Sequence, residues 1–261
     1  MPPITACIIT LNEEDNIRRI LDSLQSLDEI IIVDSGSQDK TVEIAKSYPK
    51  VKIEVRHFDN YINQKNFCIN LSKNEWVLSL DADECITEDF ISKLRSLSDQ
   101  TWIETKGIEF PRLTTYLGKW IYHSGWYPNF QLRLFQKKYG KFTGFLVHEK
   151  VSVEGKIIKL DSPILHYSYR NISDHLKFID NYSTLTAREN YSKGKRAGVI
   201  FSILEGVYKF FQMYFIKFGF LDGRHGLILA VLGAFYNFLK YIKLYEMELM
   251  ESIHRHEEKT N

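Results

Sequence analysis

Apolar and polar positions follow two different periods along the first 111 residues. Short, nearly continuous apolar runs are typical of strands buried on both faces. The candidates are ITACIIT, EIIIVD, VKIEVR and WVLSLD. Between them, apolar residues recur every three or four positions, as in the amphipathic helix that contains Ile17, Ile20, Leu21 and Leu24, for which Asn12 is the candidate cap. This alternation predicts βαβ units and an α/β fold with a doubly wound, mostly parallel sheet.

The pattern changes after about residue 165, where long helical stretches begin. In VIFSILEGVYKFFQMYFIKFGFL, polar residues follow one helical face and large apolar residues occupy most of the rest. The later stretch GLILAVLGAFYNFLKYIKLYE has an uninterrupted apolar run of about 11 residues, short of the roughly 20 that cross a bilayer. We therefore predict a sheet domain over residues 1–165, a helical region over 166–261, and no transmembrane helix.

Basic residues flank the aromatic surfaces of these helices, as in helices that lie in a membrane interface. They are Lys209, Lys217, Arg224, Lys240 and Lys243. The pattern favours peripheral association with the cytoplasmic face of the inner membrane. The alternative is that these helices pack on each other or form a homodimer face.

Composition narrows the class of protein. The chain has 261 residues, 44% of them hydrophobic, and a formal charge of +1. This allows a large core and gives no overall attraction to nucleic acid. The three cysteines lack CxxC spacing, so we expect neither a disulfide framework nor a zinc cluster, and a reducing cytoplasm fits best. The first residues lack the features of a signal peptide and are predicted to form the first strand.

Polar chemistry is concentrated where the predicted strands end. The residues concerned are Thr10, Asn12 and Glu13 after the first strand, Asp34 after the second, and Asp81, Asp83 and Glu84 after the fourth. Each alone could be a cap, a turn or a solvated loop residue. Ligands of doubly wound sheets bind outside the carboxyl ends of the strands, so together these residues predict a binding site at that edge.

The segment Asp81-Ala82-Asp83 directs two carboxylates to the same side if it is extended. Hard oxygen ligands suit Mg²⁺ or Mn²⁺, which take one or two protein carboxylates and complete their shell with phosphate oxygens and water. The segment therefore suggests a divalent cation bound together with a nucleotide diphosphate. Glu84 is interpreted only as the start of the next turn.

Several motifs resemble those of a known family. CIITLNEEDNIRRILDSL, EIIIVDSGSQDKTVEIAKSY and WVLSLDADECI resemble the successive signatures of family 2 glycosyltransferases of the GT-A fold, inverting enzymes that use nucleotide-sugar donors. GWYPNFQLRLFQK, GFLVHEKV, LHYSYRNISDHLKFIDNYS and FGFLDGRHGLILA resemble the branch that includes lipopolysaccharide inner-core β-glucosyltransferases. The resemblance covers nearly the whole chain. It implies a UDP-hexose donor, a lipopolysaccharide or other lipid-linked glycan acceptor, a nucleotide-binding half over 1–111 and an acceptor half over 112–165.

The resemblance also implies roles for single residues of the donor half. The expected donor-binding residues are Thr10, Asn12, Glu13, Asp34, Lys65, Asp81 and Arg133. Asp83 is expected to ligate the cation, with Asp81 facing either the cation or the ribose. Lys65 is placed like a residue near the donor base, although it also fits a solvated helix lysine.

An inverting transfer needs a base that takes the proton of the acceptor hydroxyl. Glu149 in GFLVHEKV is the candidate, and the neighbouring His148 is a candidate third metal ligand; the alternative is an exposed strand end. Trp126 and Tyr127 are candidates for stacking on the acceptor sugar, while Arg133 suits pairing with a phosphate or an active-site acid. Asn129 stands where the branch commonly has an acid, which weakens the comparison at that position.

Three other functions are less consistent with the sequence. A nucleotidyltransferase favours a glycine-rich, basic phosphate loop after the first strand, whereas TLNEEDN is acidic. A glycosidase needs paired carboxylates but no such D-x-D segment after a buried strand. A noncatalytic membrane-associated scaffold on a transferase fold remains an alternative, although both D-x-D acids and the candidate base are present.

Overall fold

The structure is a computed structural model and describes residues 1–144, 149–169 and 171–260. The chain forms two compact units. The first consists of Met1–Thr114 and Pro128–Ser168, and the second of Thr115–Tyr127 and Tyr169–Asn261.

Strands and helices alternate at the start of the first unit. The strands are β1 (Ile4–Thr10), β2 (Glu29–Asp34), β3 (Val51–Val55), β4 (Trp76–Asp81) and β5 (Glu84–Cys85). The helices are α1 (Glu14–Ser23), α2 (Thr41–Lys46), α3 (Tyr61–Leu71), α4 (Glu88–Arg95) and α5 (Asp99–Glu104). Strands β1 to β4 coincide with the four apolar runs, so the predicted βαβ pattern is confirmed.

Further strands follow α5. They are β6 (Thr105–Tyr116), β7 (Lys119–Ile121), β8 (Phe130–Gln136), β9 (Gly140–Thr143), β10 (Lys150–Val153), β11 (Lys156–Lys159) and β12 (Ile164–Tyr167). The main sheet has the order β3-β2-β1-β4-β8-β6-β12-β5, and β7 and β11 also pair with β6. The first four strands of that order are parallel, and β8 pairs antiparallel with both β4 and β6. The sheet is therefore parallel where the βαβ units build it and mixed beyond β4.

Helices cover both faces of this sheet, and alternate residues of each strand face different helices. On β1, Ile4, Ala6 and Ile8 pack in one cluster with the apolar face of α1, whereas Cys7 packs in a second cluster with α3. Full burial of each large aliphatic side chain contributes roughly 1.5–3 kcal/mol. This two-sided burial explains why the strands read as continuous apolar runs.

Asn12 does not cap α1, so that prediction is wrong. Glu13 occupies the cap position without a side-chain cap bond. Asn12 has a left-handed φ of 55°, which asparagine tolerates better than most residues, and its Oδ1 accepts a hydrogen bond from Gln38 N at 2.8 Å. The asparagine thus joins the loop after β1 to the loop after β2.

The second unit is mainly helical. Its helices are α6 (Ile172–Ser192), α7 (Val199–Phe211) and α8 (Arg224–Thr260), with a π turn at Gln212–Ile216 and a 3₁₀ turn at Gly219–Asp222 between α7 and α8. Asp222 is 3% exposed and accepts hydrogen bonds from the backbone of Tyr122 and His123. The aspartate of FGFLDGRHG therefore fixes the loop after β7.

Helix α7 has its polar face turned inward. Ser202 is fully buried, and Asn237 of α8 donates to both the backbone oxygen and the carboxylate of Glu205 at 3.1 Å. The opposite face exposes large apolar side chains, among them Ile200 at 75% and Leu204 at 61%. A surface helix of a water-soluble protein has the opposite arrangement, with its apolar face on the core and its polar face in water.

Two helical segments are long and apolar enough to cross a membrane. Val199–Ile216 and Arg224–Ile253 have mean hydropathies of 1.3 and 1.5, and only 17% and 22% of these windows are buried. The prediction that the apolar length is too short is therefore wrong, because the helices continue through isolated polar residues such as Asn237. Length and composition do not distinguish a helix that crosses a bilayer from one that lies on it.

Candidate active site

A cluster of charges lies at the carboxyl end of β4. Asp81 places one carboxylate oxygen 2.9 Å from Lys65 Nζ and the other 2.8 Å from Arg133 Nη2. Lys65 comes from α3 and is 5% exposed, while Arg133 comes from β8. Lys65 is thus an inward-facing residue of the cluster, and its interpretation as a solvated lysine is wrong.

Glu84 completes the buried part of this cluster. Its side chain is fully buried, with Oε1 2.6 Å from Arg133 Nη2 and 3.7 Å from Arg112 Nη1, and its Oε2 accepts from the backbone N–H of Asp81 at 3.1 Å. The interpretation of Glu84 as a turn residue is wrong, because a buried carboxylate needs this partnering by cations and donors. Glu84 holds Arg133 in position against Asp81.

The cluster keeps Asp81 ionised. Burial by itself would raise the pKa of the Asp81 carboxyl, but the charges of Arg133 and Lys65 outweigh it and hold that pKa well below its usual range. Asp81 is still 34% exposed, so its carboxylate faces the open edge of the sheet. An anion fixed between two cations is suited to accept hydrogen bonds from a bound ligand.

Glu149 lies beside the same cluster. Its Oε1 is 3.4 Å from Lys65 Nζ, and its side chain is 23% exposed. Lys65 therefore contacts the acid at the end of β4 and the acid that precedes β10. His148, the candidate third metal ligand, lies outside the described residues.

Asp83 has a different partner from Asp81. Its Oδ2 lies 3.2 Å from His166 Nε2, while His166 Nδ1 lies 3.2 Å from Thr114 Oγ1. His166 is positioned by the antiparallel pairing of β12 with β5, in which it is opposite Glu84. Asp83 and His166 thus form a partly exposed oxygen and nitrogen pair at the sheet edge.

This donor set fits a divalent cation. Within the described ranges, no group of three His, Cys, Asp or Glu side chains is arranged to hold a metal. One carboxylate with one imidazole is nevertheless sufficient for a cation that takes most of its ligands from phosphate oxygens and water. The two oxygens of Asp81 are occupied by Lys65 and Arg133, so Asp83 is the better candidate ligand.

Asp34 organises the loops after β1 and β2. Its carboxylate accepts hydrogen bonds from Thr10 Oγ1 at 2.9 Å and from the backbone N–H groups of Gly36 and Ser37 at 2.9 and 2.8 Å. Thr10 is opposite Asp34 in the parallel register of β1 and β2. The structure therefore brings Thr10 and Asp34 together, and their contact with a donor stays a prediction.

Glu13 and the candidate acceptor residues have other surroundings. Glu13 accepts a hydrogen bond from Asn16 Nδ2 at 2.9 Å. Trp126 and Tyr127 belong to the second unit, where their rings lie 5.8 Å from those of Tyr116 and Tyr122, respectively. Their stacking on an acceptor stays a prediction.

The sequence interpretation missed Glu84 and His166. Charged residues are common after strands, and the burial of Glu84 does not show in a local sequence pattern. His166 stands within LHYSY, a strand-like segment. A histidine in such a segment is the one sequence signal that could have indicated a role in the site.

Comparison with known proteins identifies the family of the chain. The family model "Glycosyl transferase family 2" matches residues 5–149, more than half of the chain. The chain belongs to glycosyl transferase family 2, and it is a glycosyltransferase. The predicted GT-A type fold with a C-terminal helical extension is confirmed.

Relatives extend the likeness to almost the full length. The chain is 28% identical to "Lipopolysaccharide core biosynthesis glycosyltransferase LpsC" of Rhizobium meliloti, over 96% of this chain and 94% of the relative. It is 30% identical to an uncharacterized glycosyltransferase of Rickettsia bellii, over 94% and 87%. Among solved structures, S. aureus TarS 1-349 in complex with UDP-GlcNAc covers 93% of this chain and 89% of its own, with a TM-score of 0.48 and 15% identity.

Proposed function

We propose that this glycosyltransferase moves a hexosyl group, with inversion, from a UDP-sugar to a lipopolysaccharide core or another lipid-linked glycan. The observation that carries the proposal is the chain of contacts Asp81–Lys65–Glu149 at the ligand edge of the sheet, with distances of 2.9 and 3.4 Å. It joins an ionised acid at the donor edge to a second, partly exposed acid. An inverting transfer needs a donor-binding group and a separate base.

The donor occupies the loops at the ends of β1, β2 and β4 in this proposal. Thr10, Asn12, Glu13 and Asp34 surround the base and ribose, and Asp81 accepts a hydrogen bond from a ribose hydroxyl. Lys65 and Arg133 hold the Asp81 carboxylate in one orientation, which reduces the entropy lost on binding. Ligand binding beyond the carboxyl ends of the strands is the rule for such sheets.

Asp83 and His166 would hold Mn²⁺ or Mg²⁺ next to the donor diphosphate. When bound, the cation neutralises the charge that develops on the leaving diphosphate. Thr114 fixes the His166 ring through Nδ1, which leaves Nε2 directed at Asp83. This contact holds the His166 ring in a fixed orientation, as metal-binding histidines require.

Glu149 would act as the base. The acceptor oxygen attacks the anomeric carbon from the face opposite the diphosphate, its proton passes to a carboxylate oxygen of Glu149, and the bond between the anomeric carbon and the diphosphate oxygen breaks. Lys65 positions Glu149 through the 3.4 Å contact. Efficient proton transfer depends on such positioning before it depends on pKa.

The inverted α7 supports a lipid-linked acceptor and a membrane surface as partner. Its outward apolar residues are suited to the acyl region, and its inward polar residues are satisfied by α8. The relative named for lipopolysaccharide core biosynthesis supports the same acceptor class. We propose that the protein acts on the cytoplasmic face of the membrane.

Thermal unfolding with nucleotides tests the donor assignment. UDP with Mn²⁺ is expected to raise the midpoint by several degrees, with a smaller rise for UDP alone and little for GDP. Asp83→Asn should lose the metal-dependent part of the shift. The control is Asp89→Asn, an exposed acid of α4 that pairs with Lys93. If none of the nucleotides changes the midpoint of unfolding, the result would favour a noncatalytic scaffold.

A further inference from the structure

The second unit contains a cavity of about 270 Å³ that lies apart from the donor-binding residues and shares only Trp126 with the candidate acceptor residues. Aromatic rings form one side, with Tyr169 stacked on His175 at 4.2 Å and Phe178 5.5 Å from Tyr169. Methionine and leucine from the π turn and from α8 line another side. A mostly apolar wall with a few polar groups is the usual composition of a small-molecule site.

Lys209 is the cation of this cavity. It lines the space from α7, is half-buried, and donates to Gln212 Oε1 at 2.9 Å. Among the described residues no carboxylate forms an ion pair with it, and the nearby Lys217 repels its charge. A half-buried ammonium without a counter-ion is destabilising unless an anion joins it.

Ser124 supplies an independent sign of a ligand. It is 3% exposed, lines the same cavity, and its hydroxyl has no hydrogen-bond partner among the described residues. A left-handed φ of 60° at Ser124, followed by Gly125, directs the chain around this corner, and Ser124 N donates to Lys217 O at 2.8 Å. Buried hydroxyls are normally paired, so an unpaired one that lines the same cavity as an ammonium without a counter-ion points to an anionic acceptor.

Burial lowers the pKa of His175 to about 4, so its ring is neutral at physiological pH and adds no charge. The hydroxyl of Tyr236, which also lines the cavity, is hydrogen-bonded to Thr186 Oγ1 at 3.2 Å. The cavity therefore offers an anion one ammonium, with a second nearby, and the unpartnered hydroxyl of Ser124. Lysine ammoniums and hydroxyls together are typical ligands of phosphate oxygens. The apolar walls suit an aliphatic or sugar portion attached to that phosphate.

We propose that this cavity binds a phosphate group carried on an apolar or sugar moiety, with Lys209 and Ser124 as its ligands and Lys217 adding to the positive field. The chemistry is shared by a phospholipid headgroup and by a phosphorylated sugar. It is independent of the donor site, because it makes no use of Asp81, Asp83 or Glu149.

Calorimetric titration of the full-length protein, without nucleotide, tests this binding. The probes are dihexanoyl phosphatidic acid below its micellar concentration, glucose 1-phosphate, and dihexanoyl glycerol as the uncharged counterpart of the first. Saturable binding of either phosphate probe, without binding of the glycerol, is expected. Binding of the phosphatidic acid alone assigns a lipid headgroup, and binding of the sugar phosphate alone assigns a glycan phosphate. Absence of saturable binding for both phosphate probes overturns the proposal.

Variants locate the binding. Lys209→Met keeps the apolar stem. It should lower the affinity for the phosphate probe by at least about tenfold, which is the scale of a lost hydrogen bond to a charged group. Ser124→Ala should weaken it about threefold to tenfold. The matched control is Lys240→Met, a half-buried lysine of α8 that donates to Asn237, has Glu205 close by and does not line the cavity.

Unfolding of the same variants separates binding from folding. Without ligand, Lys209→Met should be at least as stable as the parent protein, because an unpaired charge has been removed. Equal weakening by Lys209→Met and Lys240→Met would overturn the assignment of the cavity. An unchanged affinity of the folded Lys209→Met protein for the phosphate probe would also overturn this assignment.

Discussion

Lys65 Nζ lies 2.9 Å from Asp81 Oδ1, and this ion pair joins helix α3 to the end of the central strand β4. The same ammonium reaches Glu149 at 3.4 Å, so one buried lysine contacts both acids to which the proposed mechanism gives a role. A substitution at Lys65 should therefore change catalysis more than it changes folding.

Lys65→Met tests this relationship. Asp81 keeps Arg133 as a partner, so the free energy of unfolding should fall by only about 1–2 kcal/mol, less than for a buried pair that loses its sole partner. Turnover should fall at least about a hundredfold, because Glu149 loses its positioning contact. Steady-state kinetics and urea unfolding measure the two effects. Lys46→Met, at an exposed position in the last turn of α2, is the control.

Glu84→Gln tests the buried support of the site. The amide is nearly isosteric but removes the charge that partners Arg133 and Arg112, so we expect a loss of about 2–4 kcal/mol in the free energy of unfolding. Glu88→Gln, at an exposed position in the first turn of α4, should change it by less than about 0.5 kcal/mol. Equal stability of the two variants would show that the buried charge is not needed.

The pH dependence of stability should report on His175. The unfolded histidine has its ordinary pKa near 6.5, whereas burial lowers the folded value to about 4. Below pH 6.5 the unfolded state therefore binds more protons, and stability is lost as the pH falls towards 4, on the order of 1–3 kcal/mol for this group. Denaturant unfolding at pH 7 and pH 4.5 should show a smaller pH-dependent loss in His175→Gln than in the parent protein.

The apolar face of α7 should determine membrane binding. Leu204→Glu places a charge on a side chain that is 61% exposed, so it should abolish flotation with anionic vesicles while leaving thermal stability almost unchanged. Ile103→Glu, at a 66% exposed position of the first unit, is the matched control and should float normally. Retention of both variants in the membrane fraction after carbonate washing would instead favour helices that cross the bilayer.

The sequence predicted the parallel part of the fold well, for a physical reason. Strands β1, β2 and β4 are buried on both faces, so each reads as a run of apolar residues that stops where the strand stops. The mixed part of the sheet beyond β4 is harder to predict from sequence, because β8 lies between β4 and β6 in space although it follows both in sequence. No local pattern encodes such a crossover.

The acids of the site could be predicted, but their partners could not. Asp81 and Asp83 follow a buried strand, and together with the polar residues that end the first two strands they predicted a ligand edge. Burial of Glu84 depends on Arg112 and Arg133, which come from later strands. The pairing of Asp83 with His166 likewise depends on the register of β12 with β5.

The central claim is that Glu149 prepares the acceptor while the end of β4 holds the donor. The most direct test measures two properties of Glu149→Gln. The first is the rate at which it releases UDP from a mixture of UDP-glucose and UDP-galactose, with truncated inner-core lipopolysaccharide as acceptor. The second is its affinity for UDP. Glu154→Gln, an exposed acid near the other end of β10, is the control. The account predicts that Glu149→Gln loses at least about a thousandfold in turnover and binds UDP within about twofold of the parent protein. Substantial turnover by Glu149→Gln, or a parallel loss of UDP binding, would contradict it.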